Sequence, residues 1–146
     1  MNYSWLLLVH GATRWLVLIV GILALLRAWQ GFRRAEWTRV DEILNIGFIS
    51  MLDIQLLLGF ALYGISPLRT AAYAAPGQAM SSEMGFFAFL HPALMVAAIV
   101  VAHVGRALSK RSETPVLKQE RLWKFYLAAL ILIAMAVPWW RPFSRF

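Results

Sequence analysis

The chain contains no cysteine among its 146 residues, which excludes disulfides, thiolate metal sites and a thiol nucleophile. Acidic residues are scarce, seven against fourteen lysines and arginines, and there are only three histidines. Any metal chemistry must therefore draw on histidine, carboxylate or methionine. No phosphate-cradling glycine motif, internal repeat or low-complexity tract occurs. The candidate buried groups assemble neither a nucleophile–base pair nor a complete metal site for hydrolysis, so an electron-transfer or accessory role is expected ahead of an independent enzyme.

What is present is apolar. Hydrophobic residues make up 61% of the chain, against roughly half in a soluble domain. They fall in four blocks, Trp5–Leu26, Ile43–Ile65, Phe86–Leu108 and Leu122–Trp139, each near the ~20 residues with which a helix crosses hydrocarbon. Short links predict one all-α transmembrane domain over residues 1–146: an up-and-down four-helix bundle with helices at about 5–27, 42–66, 86–108 and 120–140. No basic region precedes the first block, so it is expected to remain as a helix and not to be removed as a signal sequence.

The net charge of +7 would suggest nucleic acid in a soluble protein, but here its distribution matters more than its sign. Arg27, Arg33, Arg34 and Arg39 follow the first block, and Arg106, Lys110, Arg111, Lys118, Arg121 and Lys124 link the third to the fourth. These links are expected on the cytoplasmic side and in contact with anionic lipid. The segment "SPLRTAAYAAPGQAMSSEMG" carries only Arg69 as a base. That segment and both termini are expected outside, in a multi-pass protein of the bacterial inner membrane with a periplasmic face; Arg141 and Arg145 oppose this weakly. Trp5, Trp29, Tyr63 and Trp139 near the block ends suit the headgroup belt. "TRVDEIL" reads as a helix start with Thr38 or Asp41 as the cap, and Pro92 predicts either a start or a kink in the third helix.

Ionisable residues inside a spanning helix are functional candidates by default, and His10, Arg14, Asp53 and His91 qualify, with His103 nearer the inner end. His10 and His91 fall at comparable depth on the outer half of the first and third helices, where two imidazoles from different helices can approach one haem iron from opposite faces. Arg14 follows His10 by one turn, and Met95 and Ala98 follow His91. Arg14 and Asp53 are both near mid-membrane and are expected to form a buried ion pair, with a haem propionate as Arg14's alternative partner. Gln55 projects nearly opposite Asp53 and is expected to bond another helix or a partner subunit. His103 lies roughly 18 Å below His91, too far for the same haem; a structural role, a quinone hydrogen bond and a proton route all remain open to it.

"LLVHGATRWLVL", "DIQLLLGFALYGISP", "HPALMVAAIVVAHVGR" and "VPWW" resemble a family of small four-helix bacterial membrane proteins labelled cytochrome B, over nearly the whole chain. The resemblance implies a b-type haem membrane protein, a component of a respiratory chain, with His10 and His91 matching the family's prominent histidines. The expected function is thus a membrane electron-transfer subunit with one haem b near the periplasmic face. Its partners would be the lipid bilayer, other subunits of an electron-transport complex, and quinone or cytochrome c, with no nucleic acid. The alternative is an accessory subunit of a respiratory or photosynthetic complex without a cofactor. A proton or ion pathway through Arg14, Asp53 and the histidines ranks last, because an Arg–Asp pair blocks ions more readily than it passes them.

Overall fold

The computed structural model describes residues 3–79 and 83–141, which are helical with short turns and contain no strand. Expectations for Arg145, for the two chain ends and for residues 80–82 of the outer segment lie outside the described residues. The elements are α1 (Tyr3–Arg34), α2 (Arg39–Ile65), α3 (Pro67–Ala74), α4 (Pro76–Ala79), α5 (Glu83–Gly85), a π-helical turn (Phe86–Leu90), α6 (His91–Lys110) and α7 (Pro115–Ala136). Three stretches are long and apolar enough to cross a bilayer: Tyr3–Arg34, Arg39–Ile65 and Glu83–Lys110. The first turns of α7 carry Lys118, Glu120, Arg121 and Lys124, which shortens its apolar run. The molecular surface matches a hydrocarbon solvent, since Leu16, Ile19, Leu57, Val100 and Met135 are all exposed. These features mark a membrane protein.

The first link is shorter than expected, because α1 continues through Arg27, Arg33 and Arg34. It ends in a Schellman turn: Glu36 N–H donates to the Gly31 carbonyl at 3.0 Å and Ala35 N–H to the Phe32 carbonyl at 3.5 Å. Ala35 takes the left-handed conformation, φ 56°, which glycine normally fills. Three residues later Thr38 caps α2, and Asp41 reciprocates from the third helical position in a capping box. Arg27 closes the corner with an ion pair to the buried Asp41 at 3.0 Å. The outer segment contains a helix that had been expected as a link, because Ser66 accepts a bond from Arg69 N–H and Pro67 occupies the first turn.

Among the long helices, α1 packs against both α2 and α7, α7 also packs along α6, and α2 and α6 meet only lightly. Small side chains allow the close approach: Ala24, Ala28, Ala98, Ala102 and Ala129 are buried. At Gly21 a methyl group would lie 2.6 Å from the Phe48 ring and 2.9 Å from Leu130. Phe48 in turn meets Tyr126 edge to face at 4.9 Å, and the Tyr126 hydroxyl donates to the Asn45 side-chain carbonyl.

Pro92 lies in the first turn of α6, as expected for a helix start there, and the π turn Phe86–Leu90 leads into it, so that the third long segment is helical from Glu83 to Lys110. The proline lacks an N–H, so the carbonyl four residues earlier loses its donor. That carbonyl belongs to Ala88, and the Tyr63 hydroxyl of α2 donates to it at 3.0 Å. The ladder shifts locally to π geometry, with His91 N–H bonding the Phe86 carbonyl. Such π turns recur where helices carry functional groups, and this one delivers His91.

Candidate functional site

A cavity of ≈ 170 Å³ lies between α1, α2 and α6, floored by Ile133 and Val137. His10 and Arg14 of α1, Gly59 and Tyr63 of α2, and His91 and Met95 of α6 all line it. Ala98, placed beside Met95 by the sequence, is buried in the helix core.

The imidazoles of His10 and His91 meet in this cavity, with ring centroids 6.3 Å apart and planes at 74°. Each is positioned by a separate device. Gly59 leaves the space that His10 occupies: a methyl group on Gly59 would sit 3.3 Å from His10 Cε1. Gln55 then locks α2 to α1 at this level, donating to the His10 carbonyl at 2.8 Å and accepting from the Thr13 hydroxyl. His91 Nδ1 lies 2.7 Å from the Ala136 carbonyl, one of the acceptors left over where α7 ends. A carbonyl only accepts, so Nδ1 carries the proton and Nε2 is left with its lone pair. Phe86 and Phe87 flank the His91 ring at 5.9 Å each. Behind them, Glu83 holds Arg141 at 2.7 Å and accepts from Trp140 Nε1 at 3.2 Å.

Two polar atoms in the cavity wall lack a partner. His10 Nδ1 and Arg14 Nε are buried without a hydrogen bond, and among the described residues Arg14 makes no ion pair, its guanidinium lying 5.3 Å from the Trp15 ring centre. The expected Arg14–Asp53 pair is therefore corrected. Asp53 Oδ1 instead lies 2.8 Å from His103 Nε2, on a half-exposed surface where α2 meets α6. Counting residues along the helices does not fix azimuth. Successive helical residues turn by ~100°, so the face of α2 that meets α1 presents Gln55, and Asp53 points away.

His103 is thus a partner of Asp53 and takes no part in the cavity. Sequence reasoning also missed Tyr63 as a cavity group, although the carbonyl orphaned by Pro92 called for a donor at that level. Among the described residues no group of three or more histidine or carboxylate side chains could hold a metal ion. The two imidazoles alone could serve only a metal whose remaining ligands come from elsewhere. No family model matches the chain, and no curated protein or solved structure is similar to it.

Proposed function

We infer that the protein is a membrane electron-transfer subunit carrying one b-type haem, with His10 and His91 as the axial ligands. The observation that carries this reading is the imidazole pair. With metal–nitrogen bonds of about 2 Å and each ring centre roughly 1 Å behind its nitrogen, two imidazoles on one metal stand with centroids roughly 6 Å apart; here they are 6.3 Å apart. The bond from His91 Nδ1–H to a backbone carbonyl is the usual support for a metal-bound histidine, since it fixes the tautomer and turns Nε2 to the metal. Haem would supply one-electron chemistry, and the chain would tune it through ligand orientation and burial.

Arg14 fits the same reading. Arg14 is partly buried and its Nε has no partner, an arrangement that a counter-ion would relieve, and a haem brings carboxylates. With Asp53 assigned to His103, a propionate becomes the preferred partner of Arg14. The cavity is smaller than the ~300–1,000 Å³ usual for small-molecule sites. A macrocycle held by both histidines would therefore extend through the seam where α2 and α6 meet lightly.

The basic residues at the α1–α2 and α6–α7 turns support a cytoplasmic side for those turns. Both termini and the haem would then face the periplasm, in a four-helix bundle of the bacterial inner membrane with α7 as the fourth span, assembled with other subunits of a respiratory chain. The small cavity volume favours a second reading, an accessory subunit without a cofactor in which the two histidines only pack. A reduced-minus-oxidised visible spectrum of protein purified from haem-replete cells separates the two. The first reading expects the sharp bands of a six-coordinate b-type haem, and the second expects a colourless protein that copurifies with partner chains.

A further inference from the structure

The Asp53–His103 pair lies outside the cavity, in an unusual position for ionisable groups. Asp53 is near the middle of α2, and both residues belong to segments apolar enough to cross a bilayer. Yet their side chains are 48% and 45% exposed, among the exposed side chains of Ile54, Leu57, Val100 and Val104. A titratable pair facing hydrocarbon is expensive, and where such pairs persist they mark ligand or proton routes.

We propose that this dyad is a binding site for the head of a lipid-soluble hydroquinone or its quinone. Access is from the bilayer, so the ligand must partition into hydrocarbon. His103 Nε2 is committed to Asp53, while Nδ1 and the second Asp53 oxygen make no bond to any described residue. With a neutral imidazole, Nε2–H donates to the carboxylate and Nδ1 is a bare acceptor, suited to a hydroquinone hydroxyl. With an imidazolium, Nδ1–H becomes a donor, suited to a quinone carbonyl. A group that exchanges acceptor for donor with one proton matches a ligand that does the reverse with its redox state. The dyad is a poor anion site, because the nearby Arg106 is paired with Glu42 at 3.6 Å and leaves Asp53 to repel a fatty-acid carboxylate. Branched aliphatic side chains on both helices offer flat contact for a ring. Leu56 and Ile99, one turn from Asp53 and His103 respectively, line the imidazole cavity, so the two sites adjoin. The proposal rests on the membrane placement of α2 and α6 and does not require haem.

The test is photolabelling of the full chain in lipid nanodiscs with a short-chain azidoquinone, followed by peptide mapping, with and without excess decylubiquinol as competitor. Adducts are expected within residues 46–57 and 96–107, suppressed by the competitor. Labelling should fall at least about tenfold in His103→Leu, as for loss of one strong hydrogen bond, and fall less in His103→Gln, which retains a polar group. Equal labelling in His10→Ala is also expected, and it separates this site from the fate of the haem reading. Asp53→Asn, which preserves shape, guards against a folding defect in the histidine variants. Adducts elsewhere, labelling unchanged in folded His103→Leu, or a dyad that cross-links to a second protein chain would each overturn the proposal.

Discussion

The two ends of the helix assembly treat their polar groups differently. At the end where α1 meets α2, charges are matched within the chain: Arg27 pairs with Asp41 at 3.0 Å, Arg106 with Glu42 at 3.6 Å, and Arg121 donates to the Leu108 carbonyl at 2.7 Å. The unsatisfied atoms there are neutral, Gln119 Oε1 and Trp123 Nε1. Gln119 borders a void of ≈ 10 Å³, about the room one water needs. At the cavity end, a guanidinium nitrogen and an imidazole nitrogen are buried without partners. Since buried polar groups are normally paired, the first end is closed by contacts within the chain, whereas the second leaves two buried nitrogens without a partner among the described residues.

Substitutions can break or sharpen that contrast. The largest stability loss is expected at the matched end. Asp41→Ala removes one partner of a buried pair together with half of a capping box, and should cost about 3–5 kcal/mol. Thermal unfolding in detergent measures this, and the haem content of the folded fraction should not change. Arg14→Leu should behave in the opposite way. Without an anionic ligand it removes a partly buried cation whose Nε has no partner, so the cofactor-free protein should unfold at a higher temperature. With haem it removes a propionate partner and should weaken loading about tenfold, equivalent to ~1.4 kcal/mol. If Arg14→Leu destabilised the cofactor-free chain as Asp41→Ala does, the two ends would not differ in the way described. The smallest effect is a gain. Ala35→Gly relieves the left-handed alanine of the Schellman turn and should stabilise by about 1 kcal/mol, visible as a small rise in the same unfolding curve.

Three long apolar helices were legible because such runs have few other solutions, and the histidine pair was legible because its position could be counted along two helices. Direction around each helix was not, and that is where Arg14 and Asp53 parted. Asp53 needed knowledge of which face of α2 meets α1, and that face is set by the packing of Gln55, Gly59 and Phe48. Helix ends were blurred by chemistry without a strong sequence signal. The alanine in the αL position hid the end of α1, and the alanine-rich stretch after Ser66–Pro67 concealed α3. The role of Tyr63 follows from the missing N–H of Pro92 only once α2 and the π turn are known to be neighbours.

The central claim is that His10 and His91 ligate one iron between them, and the visible spectrum of the two alanine variants tests it most directly. His10→Ala and His91→Ala, each purified with its helical content intact from haem-replete cells, should both lose the six-coordinate reduced spectrum that the unmodified protein displays. Retention of that spectrum in either variant, or its absence from the unmodified protein, would contradict the account.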